Sequence, residues 1–416
     1  MRLALAALGL AALGSLGCSG HYVDAMRPVH ELARAGRPAE AFDRLEQQTR
    51  GTDWDALLVS LDEGALLHRA GRFQESAQAL NRAVQLADDR ETVSFSEEVF
   101  GKAPFRMAKH EKQALHALQA LNYLQLGNVD EALVEARLTD LRQTKLAAEG
   151  ERSRQEERFV TGNAVDEKQR AFFEQLVFGR YVSGLAYELE GQSDAAFIDY
   201  YRVYELGRQA PADARVRPAQ LVPRLLRMAR ELGRPEAESL ARENPGLAEE
   251  SALGPDGELV VVVEAGFGPE VVLDERLRAY VLRPRERSTN PGYVVAAGAP
   301  WVPEAVSSLE ELAERRTFAG VLVDRERSAS VAINTVMFAS YFVLFPVMMP
   351  LLIKRGYESG IRMGQSWLML PAEFKVARLR LPAGKHVVQL PSLGGLVSRE
   401  IEVRSGKLTL VVTEGP

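Results

Sequence analysis

Glu258-Leu259-Val260-Val261-Val262-Val263-Glu264-Ala265 is the stretch that decides the fold. An unbroken aliphatic, mostly β-branched run of this length reads as a strand buried on both faces. Further strands are expected near Val271–Leu273, Ala279–Leu282 and Tyr293–Ala297. Towards the C-terminus, Leu379 and Leu381, Val388 and Leu390, Ile401 and Val403, and Leu408, Leu410 and Val412 alternate with polar neighbours. Pro382-Ala383-Gly384, Leu393-Gly394-Gly395 and Ser405-Gly406 punctuate them as turns. That pattern predicts a meander of about four strands, suited to a small β-sandwich, within a β-rich domain over 258–416.

Upstream the chain changes character. Asn244-Pro245-Gly246 stops a helical pattern, and Gly254-Pro255-Asp256-Gly257 forms a turn-rich linker. Before it, small residues recur at fixed spacing: Gly64 and Gly71, Ala120 and Gly127, Gly184 and Gly191 each lie seven apart. Leu67, Tyr123 and Tyr187 stand three after the first small residue, and Ser76, Ala132 and Ala196 five after the second. Each unit is expected to be a helix, a glycine-marked turn and a second helix, the glycine tolerating the positive φ of the helix end. The units resemble the tetratricopeptide (TPR) repeat, with weaker copies around Gly36 and Gly233, so 18–250 is expected to be a TPR-like helical array. Stacked repeats of this kind leave a concave face for a partner. Matching the repeat phase places His68, Arg69, Gln125, Tyr181 and Glu188 on that face, as candidate contacts for an envelope protein or peptide. The fold class expected is therefore α+β and multidomain, repeats first and a sandwich-like domain second.

Two other segments bear on location. Met1-Arg2 and the uncharged run Leu3 to Leu16 form an export signal, too short to span a bilayer comfortably. The run ends in Gly14-Ser15-Leu16-Gly17-Cys18-Ser19, and Cys18 is the one cysteine of the chain. Small residues before a lone cysteine resemble the bacterial lipobox, which implies removal of residues 1–17 and lipid attachment at Cys18. Acyl chains there would anchor the mature protein stably. Ser19, rather than an aspartate, follows, which resembles the outer-membrane default, so a periplasm-facing outer-membrane lipoprotein is expected. The second segment, Ser328 to Ile353, runs 26 residues without a charge between Arg325/Arg327 and Lys354/Arg355. One long apolar helix is expected there. It is either buried between the two domains, inserted in a membrane or docked on a partner, Pro346 and Pro350 interrupting it.

Composition narrows the function. With 51 basic against 57 acidic side chains, the net charge of −6 lacks the basic footprint of a nucleic-acid binder. A single thiol excludes a disulfide framework and cysteine-rich metal sites within one chain. The six histidines form no His-Glu-x-x-His pair, and His110 and His116, six apart, do not share a helix face. Neither a Gly-x-Ser-x-Gly elbow nor a Gly-Lys-Ser/Thr phosphate loop is found, and Gly266-Phe267-Gly268-Pro269 reads as a structural turn. No cofactor, metal or catalytic residue is expected.

A longer resemblance runs through Glu258 to Pro269, His116 to Leu124, Ala195 to Tyr200, Ser366 to Ala372 and Leu381 to Gly384. These segments are similar to a little-characterised family of bacterial envelope lipoproteins that join TPR-like repeats to a C-terminal β-rich region. The lipid-attachment site, the repeats and the missing catalytic motifs together lead to the expectation of a lipid-anchored periplasmic scaffold that binds an envelope protein through its repeats. The alternatives are a structural component of an outer-membrane assembly or secretion machine, and an envelope enzyme acting on cell wall or glycan.

Overall fold

In the computed structural model of the chain, residues 22–91, 105, 107, 109–138, 176–210, 219–246, 254–268, 270–274, 279–283, 292–309 and 367–416 are described. The expected leader over 1–17, Cys18 and the apolar segment 328–353 lie outside them. Among the described residues, no helix is long and apolar enough to cross a membrane.

The N-terminal half is a run of helical hairpins. Its helices are α1 (Tyr22–Ala25), α2 (Arg27–Arg34), α3 (Pro38–Thr49), α4 (Ala56–Arg69), α5 (Phe73–Glu91) and α6 (Lys109–Gln125). They are followed by α7 (129–138), α8 (Val177–Leu189), α9 (Ser193–Gln209), α10 (Val222–Glu231) and α11 (Glu236–Glu243). Gly36, Gly71, Gly127, Gly191 and Gly233 all have φ between 65° and 77°. Every one of these turns closes in the same way. At Gly71, its own N–H donates to the His68 carbonyl and that of Arg72 to Leu67; at Gly191, the donors Gly191 and Gln192 reach Glu188 and Tyr187. This is the two-bond glycine cap that satisfies the last carbonyls of a helix. Small residues then set the closeness of each pair: a Cβ added at Gly64 would lie 2.3 Å from Leu80, and one at Gly184 2.7 Å from the Tyr200 ring. Ser76 adds a bond from its hydroxyl to the Gly64 carbonyl, 2.7 Å.

The C-terminal half forms two four-stranded sheets and a ribbon. One sheet has the order β10 (Leu408–Gly415), β1 (Asp256–Ala265), β7 (Glu373–Pro382), β6 (Glu304–Ser308). The other runs β5 (Ala299–Trp301), β4 (Val294–Ala296), β8 (Gly384–Ser392), β9 (Gly395–Val403). Strands β2 (Glu270–Asp274) and β3 (Ala279–Arg283) pair antiparallel in a separate ribbon. The C-terminal strands are thus not one meander. Only β8 and β9 stay together, while β7 pairs antiparallel with β1 and β10 returns to lie parallel on its other side. The physical reason lies in β1, which is apolar on both faces and so takes the centre of a covered sheet.

Alternation along β1 divides the core. Leu259, Val261 and Val263 join Ala377, Leu379 and Leu381 and meet Val388, Leu390, Ile401 and Val403 of the second sheet. Val260 and Val262 point the other way, with Phe374, Val376 and Val412, into the core of the helices. Phe178 of α8 stacks on Phe374 of β7, ring centroids 4.1 Å apart and planes 9° from parallel. Such a pair contributes about 0.5–1.5 kcal/mol beyond its burial. The order of layers is therefore helices, sheet, sheet.

Candidate functional site

The helix-facing side of the first sheet carries two glutamates, Glu258 and Glu264, at the ends of the valine run, each 2% exposed. A carboxylate so placed needs a cation and hydrogen bonds. Glu258 finds both at the face of the helical array, and Glu264 meets His68 there.

Around Glu258 two arginines meet two carboxylates. Arg378 of β7 donates from Nε to Glu258 (2.8 Å) and from Nη2 to Glu188 of α8 (2.7 Å). Arg224 of α10 bridges the same two carboxylates. Arg378 also donates to the hydroxyls of Tyr181 (3.1 Å) and Tyr200 (3.2 Å), and Tyr200 donates to Glu188 (2.8 Å). Burial by itself would raise the Glu188 carboxyl, but Arg378 and Arg224 outweigh it and hold it at about 2. Burial pushes both tyrosines up.

Around Glu264 the geometry is similar in kind. His68 Nε2 lies 3.0 Å from its Oε1, and His68 Nδ1 lies 2.6 Å from Asn122 Oδ1. The Nε2 contact lacks good hydrogen-bond geometry and is an ion pair only when His68 is protonated. Arg69 donates to the Gly266 carbonyl at 3.1 Å, lies over the Phe267 ring at 4.3 Å and approaches Glu414 of β10 at 3.8 Å. Gly266 has φ 60° and Gly268 donates to the Leu370 carbonyl, so the glycine pair turns the chain back into the fold. Gln125 of α6 donates to the Leu410 carbonyl, 3.3 Å.

A third node ties the N-terminus to the C-terminal half. Asp62 of α4 accepts from the Tyr22 hydroxyl (2.8 Å) and the Met369 amide (3.3 Å). Burial raises its pKa to about 7 in spite of these donors.

The five residues expected to line a partner groove, His68, Arg69, Gln125, Tyr181 and Glu188, all lie on the side of the helices that meets the first sheet. What they touch differs from the expectation. Every one of them meets β1, β7, β10 or the loop after β1, so the chain's own sheet covers the face that they share. Their availability to an outside peptide is corrected by this burial. The sheet supplies an apolar face with Glu258, Arg378 and Glu264 near its ends, and the helices supply Glu188, Arg224, His68 and Arg69 opposite them.

Sequence reasoning missed Arg378, Arg224, Glu258, Glu264 and Asp62. A signal existed for two of them. Glutamates bounding a strand buried on both faces cannot face water and must be paired.

On the opposite side of the α8–α9 hairpin, an open groove of about 450 Å³ is lined by Arg180, Tyr187, Ile198, Asp199, Tyr201 and Arg234, among others. Its floor holds the Ser183–Asp199 bond (2.5 Å) and the Arg180–Asp199 ion pair (3.0 Å). Among the described residues, no group of three or more His, Cys, Asp or Glu side chains is placed to hold a metal. The chain matches no family model and no curated protein.

Proposed function

We propose that the protein is a lipid-anchored envelope scaffold, a non-enzyme that holds a protein partner close to a membrane. The observation that carries this reading is the spacing between Cys18 and Tyr22. Tyr22, four residues after the cysteine, is 1% exposed and bonded to Asp62, so it is already part of the packed body. Four residues reach at most about 14 Å. An acylated Cys18 would therefore hold the body against the bilayer surface and raise its effective concentration there. The TPR reading of the hairpins belongs to the same proposal, supported by the five identical glycine caps and the small residues at the helix contacts.

With the helix face that carries His68, Tyr181 and Glu188 covered by the sheet, the surfaces left for a partner are elsewhere. The second sheet and the loops at its edge expose Tyr293, Val302, Val387 and Leu396, at 42%, 52%, 66% and 53%. Exposed apolar groups gathered on one sheet suit a protein contact better than scattered ones would. The two fully described buried histidines, His68 and His116, are held by Asn122 with Glu264 and by Glu135. Those are structural pairings rather than a base set beside a nucleophile.

Two experiments test the reading. Cys18→Ala should move the protein from the membrane fraction to the soluble fraction, and unchanged fractionation contradicts the anchor. Photo-crosslinkers at Val387 and Leu396 in intact cells should capture one specific envelope protein. Recovery of none contradicts the scaffold.

A further inference from the structure

The corner where α4, α6, β1 and β10 meet encloses four titratable groups. His68 and Arg69 come from α4, Glu264 from β1 and Glu414 from β10. α5 contributes Ser76 and Phe73, whose ring meets the imidazole edge-on with centroids 5.4 Å apart. α6 contributes Asn122. The tautomer of His68 is fixed by a chain of hydrogen bonds. Ser76 donates its hydroxyl to the Gly64 carbonyl (2.7 Å), so it accepts from Asn122 Nδ2 (2.9 Å). Asn122 must then turn Oδ1 towards His68, which donates to it from Nδ1 (2.6 Å). The proton that comes and goes is the one on Nε2, 3.0 Å from Glu264. Without it, the Nε2 lone pair faces a carboxylate oxygen in a site closed to water.

We propose that this corner is a proton-operated latch between the helical layer and the sheet. With His68 protonated, two cations face two carboxylates. After deprotonation, Glu264 and Glu414 share Arg69 alone, and a buried negative charge is left uncompensated. Burial works against the imidazolium, yet Glu264 and Asn122 outweigh it and raise the His68 pKa above its ordinary value. Burial raises the Glu414 carboxyl, against Arg69 and His68. Burial also pushes Glu264 up, but His68 and Arg69 hold it below the usual range. A histidine raised in the folded state stabilises that state below the unfolded value of about 6.5, and the stabilisation is lost as pH climbs through the raised value. Opening starts at β10, which lies at the edge of its sheet with Glu414 next to its last residue.

Amide hydrogen exchange on the full chain, corrected for intrinsic rates, tests the latch between pH 6 and 8.5. Protection of β10 and β1 should fall with rising pH, by up to about tenfold per pH unit for one proton. His68→Asn, whose amide can stand where Nδ1 does and donate to Asn122, should leave only the slope that Asp62, titrating near 7, adds at the low end of the range. A slope unchanged in the variant, or protection independent of pH in the wild type, overturns the proposal. Should the variant not fold, the wild-type His68 Cε1–H resonance gives the same answer. It should titrate with a midpoint above that of a free histidine, and an imidazole neutral throughout the range overturns the latch.

Discussion

At the scale of single residues, buried charges are the sensitive points. Arg378 serves two carboxylates and two tyrosine hydroxyls at once. Its replacement by Ala leaves Glu188 and Glu258 sharing the single positive charge of Arg224 within this cluster, so a loss of about 3–5 kcal/mol in urea unfolding is expected. Asp62 sets a pH dependence of its own. A carboxyl raised to about 7 in the fold and near 3.9 when unfolded stabilises the protein fully below about pH 4. That contribution falls away as pH rises to about 7, by on the order of 4 kcal/mol. Asp62→Asn should flatten stability across that window in melts at successive pH values. Glu188 acts in the other direction. Held at about 2, it contributes above about pH 4.3, and its contribution is lost as pH falls towards 2.

At the scale of elements, the hairpin glycines separate two physical demands. Gly71 and Gly191 have positive φ and open space around them, so their need is conformational. Gly64 and Gly184 are helical, and their need is room. The Leu80 side chain near Gly64 is held by packing alone, whereas the Tyr200 ring near Gly184 is also pinned through its hydroxyl by Glu188 and Arg378. Gly184→Ala is therefore expected to cost more than Gly64→Ala, about 1–3 kcal/mol against less, by denaturant titration. These glycines were legible in the sequence because a glycine cap and a close helix contact each demand a small residue at a fixed place. The valine run was legible as a central strand for the same reason, since only burial on both sides suits it. The pairing of β10 with β1 was not legible. Alternation states which face of a strand is buried but not which neighbour it joins, and a parallel return across the sheet leaves no local mark. Nor could the repeat phase tell whether the face carrying Glu188 and His68 holds a foreign peptide or the chain's own sheet. That choice is made by residues far along the chain, Arg378 lying 190 positions beyond Glu188 and Glu264 196 beyond His68.

At the scale of the whole molecule, the helical array and the first sheet share one core. Val260, Val262, Phe374 and Val376 are as much a part of it as Leu61, Phe178 and Leu185. Neither half keeps its buried face covered alone, so thermal unfolding is expected as a single transition seen alike by helix-sensitive and tyrosine-sensitive signals. Two separated transitions would mean that the halves are independent. The central claim is that the helix face carrying His68, Tyr181 and Glu188 is covered by the sheet of the same chain. A double-mutant cycle on Glu188 and Arg378 tests it most directly, using Glu188→Gln, Arg378→Gln and the pair, with stability read from urea unfolding. Direct contact across the seam predicts a coupling energy above about 1 kcal/mol, and changes that add within about 0.5 kcal/mol would contradict it.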